Sequence, residues 1–280
     1  MMNRLNALLL AFFSLIPFLA SSQEKVPAKN IEAILYIGEG SNQPLVVGLG
    51  GSEGGNAWAS DHWKLTRDEF ITKGYAFLAV GYFGCEGTPA ILDKIAIDDV
   101  HNAIKVAAKH SKIDGRKIAV LGGSRGADLA LLLGSYYSDI SCVIGMSASH
   151  AVFPGHTQEF NSSCWTYQGK ELPFIPVNDE AVPFLMKRDL RGTFEAMLKD
   201  TAAEHRCLIK VENIKAPILL LSGDADEIIP AVMMGNKMMT RLRVNNFSYA
   251  YEHIIYRGGH AEPTKHFDKV FELLEVHFGK

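Results

Sequence analysis

The stretch that most constrains the fold is KIAVLGGSRGADLALLLGS, running from Lys117 to Ser135. Lys117–Leu121 is apolar without the polar alternation of a half-exposed strand, so it reads as a central strand buried on both faces of a parallel sheet. The run breaks at Gly122-Gly123-Ser124-Arg125-Gly126, and Ala127–Tyr136 continues as a helix. A strand, a sharp glycine-rich turn and a helix together form one half of a strand–helix crossover. Sheets built from such units are covered by helices on both faces.

The rest of the chain repeats this alternation. Ile31–Ile37 and Pro44–Gly50 read as strands, the second entering Gly-Gly-Ser-Glu-Gly-Gly. A helix is expected over Trp58–Lys73, a strand over Ala76–Val80 and a helix over Ala96–His110, where Ile97, Val100, Ile104 and Ala107 share one face. Ile140–Met146, Pro217–Leu221 and Phe247–Tyr256 are further strands, with helices from Pro230 and from Pro263 to His277. Between about His150 and Arg206 no clean strand period appears, and aromatic residues are frequent. An irregular segment of that length inside a compact domain is uncommon unless functional, so it is expected to form a lid. No repeat or linker divides the chain. It reads as one α/β domain with an insertion.

The first residues differ in kind. Arg4 precedes the mostly apolar stretch Ala7–Ala20, and Ala20-Ser21-Ser22 offers small residues before a cleavage site after Ser22. This is the pattern of a secretory signal, and the stretch is shorter than the roughly 20 residues that span a bilayer. Export to a periplasm or the exterior is the expectation, with residues 1–22 as the signal peptide. Four cysteines follow, at 85, 142, 164 and 207. Cys142 lies in an apolar strand. Cys164 and Cys207 flank the irregular segment and are candidates for a disulfide, which an exported protein permits. Net charge is −3, with no basic face, which argues against nucleic acid as a partner. No spacing suggests a metal or haem site, and no cofactor is expected.

Ser124 stands where a nucleophile at a strand-to-helix elbow would stand. Such a turn needs small residues two positions to either side, here Gly122 and Gly126, and it exposes the serine hydroxyl. It also aims the N–H of Arg125 at a developing oxyanion. A dinucleotide-binding reading of LGGSRGA fails. Asp128 would face phosphate at the last glycine position, the motif follows several strands, and no Tyr has a Lys four residues later. The earlier GLGGSEGG fails too, with Glu53 in the third-glycine place. The α/β-hydrolase fold further demands an acid and then a histidine, each after a late strand. Asp226 follows PILLL and precedes Pro230, and His260 follows Arg257-Gly258-Gly259. Asp224 is read as a turn acid and Glu227 as solvated. Ser52 or a direct neighbour in the glycine-rich loop is the expected second oxyanion donor beside Arg125. Glu53, His150 and Trp165 are the expected substrate contacts. The lid aromatics Phe153, Phe160, Trp165, Tyr167, Phe174 and Phe184 either line an acyl pocket or pack the lid onto the core.

With these residues assembled, the chain resembles the C-terminal catalytic domain shared by acyl-CoA thioesterases and bile acid-CoA:amino acid N-acyltransferases, and more distantly dienelactone hydrolases. The likeness runs from about Asn30 to Phe278. It rests on LGGSEGG at 49–55, LAVGYFG at 78–84, the elbow segment, WTYQGKELPFIP at 165–176 and PILLLSGDADEIIP at 217–230. In that family a serine nucleophile accompanies thioester hydrolysis and a cysteine accompanies acyl transfer. Ser124 therefore implies water as the acceptor. Only a short segment precedes the first strand, so the immunoglobulin-like domain of the animal enzymes is not expected. Export away from cytosolic coenzyme A points to another acyl ester or thioester as the small-molecule substrate. An exported carboxylesterase or lactone hydrolase, and a catalytically silent binding protein, are the alternatives.

Overall fold

The computed structural model describes residues 22–279, so the segment expected to be an export signal lies outside the described residues except for Ser22. Eight strands form one sheet: β1 (Ser22–Val26), β2 (Glu32–Ile37), β3 (Gln43–Leu49), β4 (Ala76–Gly81), β6 (Ile113–Gly123), β7 (Cys142–Met146), β10 (Ile218–Gly223) and β11 (Tyr251–Tyr256). Their order is β1-β2-β4-β3-β6-β7-β10-β11. Strand β2 runs antiparallel to both neighbours, and every pairing from β4 through β11 is parallel. Order and direction are those of the α/β-hydrolase fold. The carboxyl ends of β3, β6, β10 and β11 consequently open on one edge.

The continuous apolar strands serve two cores at once. Along β6, Ile118 and Val120 enter one cluster, whereas Ala119 and Leu121 enter the other. The first cluster is covered by α2 (Ile97–Ala107), α3 (Arg125–Tyr136) and α7 (Ala231–Val244), through residues such as Val100, Ile104, Leu129 and Leu242. The second is covered by α1 (Lys64–Thr72) and α8 (Phe267–Phe278), where Phe70 packs on Phe271 and Phe77, and Trp58 packs on Phe77 and Phe267. Each fully buried Leu, Ile or Phe contributes about 1.5–3 kcal/mol of transfer free energy.

Strand β1 was not expected. Its sequence Ser-Gln-Glu-Lys-Val is polar and exposed up to Val26, and its backbone pairing to β2 supplies its order. The expected strand at 247–256 begins only at Tyr251.

The insertion carries more structure than its sequence pattern suggests. Trp165–Tyr167 (β8) and Lys170–Glu171 (β9) form a hairpin that joins the two-residue β5 (Ile95–Ala96) in a separate small sheet. Three short helices follow: α4 (Val182–Met186), α5 (Leu190–Met197) and α6 (Thr201–Arg206). Asp189 and Asp200 cap α5 and α6 by accepting the N–H groups of Gly192 and Ala203. The insertion has its own core, in which Phe153, Ile175, Met197 and Cys207 pack with Ile229, just before α7, and Met234 in its first turn. All four cysteines are free, so the expected Cys164–Cys207 pairing is not formed. Cys164 Sγ donates to the Pro154 carbonyl at 3.0 Å, and Cys207 sits in the lid core.

Candidate active site

The elbow between β6 and α3 gives Ser124 φ 53° and ψ −122°. This is the mirror image of an ordinary turn conformation, which L side chains rarely adopt. The flanking glycines make it possible. A Cβ on Gly122 would lie 2.0 Å from the Gly126 carbonyl oxygen, and one on Gly126 would lie 2.4 Å from the carbonyl oxygens of Leu49 and Gly50. Both clashes are with backbone, so no rotamer relieves them. The Ser124 N–H is fixed by the Met146 carbonyl at 2.8 Å. Helix α3 starts at Arg125 and points its N-terminus at the turn, so its first free amides face the serine.

Asp226 follows β10 and is buried, at 1 % exposure. Its Oδ1 accepts the N–H groups of Ile228 and Ile229 at 2.8 and 3.0 Å, and its Oδ2 meets His260 Nδ1 at 2.8 Å. Burial alone would raise the Asp226 pKa. The His260 ring and the amides of Ile229 and Ile228 outweigh it and hold the carboxyl below its ordinary value. Asp224 serves the backbone instead. It accepts the Gly258 N–H at 3.0 Å and ties the histidine loop to the end of β10. The approach is close, since a Cβ on Gly223 would lie 2.2 Å from the Gly259 carbonyl oxygen. Glu227, exposed as expected, also accepts the His260 N–H at 2.9 Å. The Ser147 hydroxyl donates to the His260 carbonyl at 2.8 Å. The imidazole is therefore oriented from both sides of its backbone and through Nδ1.

Ser124 and His260 line the same two cavities, one of about 580 Å³ under the lid and one of about 150 Å³ beside Trp58 and Trp63. Among the described residues no hydrogen bond joins the Ser124 hydroxyl to the ring, and His260 Nε2 has no protein partner. Both groups are open to shared space, where such bonds commonly tighten only once substrate is bound.

Ser52, Glu53 and Arg125 line the larger cavity. Glu53 Oε1 accepts the Gly51 N–H at 3.0 Å, which occupies that amide. Phe160 is the one aromatic among those expected that lines the cavity. The other apolar walls come from residues the sequence did not single out, chiefly Leu185, Leu190, Phe194, Met197 and Ile228. The amphipathic spacing of α5, with Thr193, Ala196 and Met197 buried, was the available signal.

Two expected contacts lie elsewhere. Trp165 has 0 % exposure and packs on Tyr82 at 5.8 Å between ring centroids. It holds the β8–β9 hairpin to the core and does not reach the cavity. His150 is also fully buried and lines a separate cavity of about 890 Å³ bordered by α6 and α7, bonded through Nε2 to Glu204. Burial lowers its pKa, against the pull of Glu204. Of the remaining lid aromatics, Phe153 is buried beneath Arg125, Tyr167 packs on Tyr136, and Phe184 is partly exposed.

The family model described as "BAAT / Acyl-CoA thioester hydrolase C terminal" matches residues 96–263, a span that holds Ser124, Asp226 and His260. The chain belongs to this family. Mouse peroxisomal succinyl-coenzyme A thioesterase is 24% identical over 213 residues, covering 75% of this chain and 47% of the mouse protein. Rat acyl-coenzyme A thioesterase 1 is 23% identical over 231 residues, covering 81% of this chain and 51% of the rat protein. The chain thus spans about half the length of these curated relatives. Among solved structures, a Pyrococcus furiosus esterase superposes with a TM-score of 0.61 at 17% identity, covering 93% of this chain and 92% of its own. A Mycobacterium tuberculosis puromycin-hydrolyzing peptidase superposes with a TM-score of 0.64 at 15% identity, covering 93% of this chain and 40% of its own. At such identities these likenesses establish the α/β-hydrolase fold.

Proposed function

We propose that this chain is a serine hydrolase that cleaves acyl esters or thioesters through an acyl-enzyme on Ser124. The carrying observation is the 2.8 Å bond between Asp226 and His260, which leaves the outer ring nitrogen open to the cavity entered by the strained Ser124 elbow. In this reading the Ser124 hydroxyl turns onto His260 Nε2 and gives up its proton as Oγ attacks the acyl carbon. The ionised Asp226 keeps the Nδ1–H tautomer and stabilises the imidazolium. The carbonyl oxygen becomes an oxyanion and takes the Arg125 N–H at the start of α3. It takes a second N–H from Ser52, because Glu53 already engages that of Gly51. His260 then protonates the leaving group, and water repeats the sequence to free the acid.

The apolar wall of the cavity of about 580 Å³ beside Ser124 supports an acyl chain there. The relatives' names favour a thioester. The export signal at residues 1–22 favours a substrate outside the cytosol, and we include secretion or periplasmic location in the proposal. A panel of p-nitrophenyl esters and acyl-CoA thioesters, assayed with wild type and Ser124→Ala, tests the reading. Hydrolysis should fall by roughly 10³–10⁶-fold in the variant. Turnover that survives Ser124→Ala would refute it.

A further inference from the structure

Arg125 contributes more to the cavity than a backbone amide. Its side chain is 8% exposed, and its guanidinium lies over the rings of Phe153 and Phe194, 5.3 and 5.4 Å from their centroids. One terminal nitrogen, Nη1, donates to Asp128 Oδ2 at 2.9 Å, and Asp128 Oδ1 is taken by the Ser149 N–H at 2.7 Å. Among the described residues no protein acceptor meets the Nε–H and Nη2–H edge. That edge is the pair of parallel donors that matches a carboxylate in two-point fashion.

The guanidinium stands in a cavity whose other walls are mainly apolar: Phe160, Leu185, Leu190, Phe194 and Met197. An alkyl acyl chain filling this space would strip water from the free N–H groups and return nothing, and unmade bonds of a charged donor are costly. An acyl group with an oxygen acceptor at its far end would satisfy them. His156, also in the wall, keeps an exposed face, and partial desolvation together with the neighbouring Arg125 disfavours its cationic form.

We infer that Arg125 is a specificity-determining residue whose guanidinium selects acyl groups ending in a carboxylate over plain alkyl acyl groups of equal length. This selectivity rests on the proposed acyl site but is testable by binding alone. Monomethyl adipate and methyl hexanoate share one chain length and one ester end, and differ in the terminal carboxylate. Calorimetric titration into Ser124→Ala protein should show the adipate ester binding roughly 10- to 100-fold more tightly. Adding Arg125→Met should abolish that preference. Arg125→Met also leaves Asp128 unpaired, so the variant Arg125→Met/Asp128→Leu, which removes both buried charges, supplies the same comparison in a neutral core. Equal binding of the two esters, or a preference that survives loss of the guanidinium, would overturn the inference. Turnover of p-nitrophenyl hexanoate by the wild type separately decides the hydrolase reading.

Discussion

Replacing Ser124 by glycine should stabilise the protein while destroying its activity. The residue sits at φ 53° and ψ −122°, where an L side chain crowds its own backbone. Conformations of this class cost roughly 1–3 kcal/mol. Glycine removes that strain, and it also loses more freedom on folding, about 0.4–1 kcal/mol relative to alanine. Little else changes. The side chain opens on two cavities, and its hydroxyl holds no hydrogen bond among the described residues. The net effect is a gain of about 1 kcal/mol, or about 2–4 °C in Tm for a domain of this size class. Ser124→Ala is the control, because it deletes the same hydroxyl but keeps Cβ and therefore the strain. The fluorescence of Trp58, Trp63 and Trp165 reports unfolding in urea for all three proteins. At an ordinary backbone position glycine would be the least stable of the three. A Ser124→Gly midpoint at or below that of Ser124→Ala would show that the elbow stores no strain and would remove the physical basis for calling this serine poised.

Asp226→Asn should keep the fold and lower kcat by roughly 10³–10⁴-fold, since an amide favours the wrong imidazole tautomer. It should also change acid stability. The Asp226 carboxyl is held below its ordinary pKa in the fold, so its contribution is present above the ordinary carboxylate range. That contribution is lost as pH falls through the depressed value. Urea midpoints of the two proteins should differ at pH 7 and converge in strong acid, and a constant gap would contradict the assignment. Titration of unreduced protein with Ellman's reagent in denaturant should count four thiols, matching the four free cysteines, whereas two would mean that Cys164 and Cys207 had paired.

Much of the site was legible because its constraints are local. Gly122, Ser124 and Gly126 are imposed by backbone collisions of 2.0 and 2.4 Å within one turn, so their spacing alone announces the geometry. Asp226 and His260 follow late strands for topological reasons that the apolar runs disclose. The lid was less legible. Its aromatics indicate apolar partners without saying which, and Trp165 is buried in the core, whereas Phe194 on α5 faces the cavity. His150 beside the lid entrance gave no sign that Glu204, far along the chain, would bond its ring. Strand β1 escaped for another reason: an exposed edge strand is ordered by backbone pairing and needs no apolar alternation.

The glycine-rich loop after β3 shows how composition can point to an element beside Ser124 for an incomplete reason. Its glycines suggest a bare backbone open to an oxyanion, with any of several amides suitable. The structure holds a tied turn in which the Glu53 carboxylate accepts the Gly51 N–H. A Cβ on Gly51 would lie 2.7 Å from that carboxylate and 3.2 Å from Ser124 Cβ, so the glycine lets the loop lie against both groups. The tie removes one amide from service and makes Ser52 the next one along. A side chain that reads as an interruption of the glycine pattern thus narrows the choice of donor.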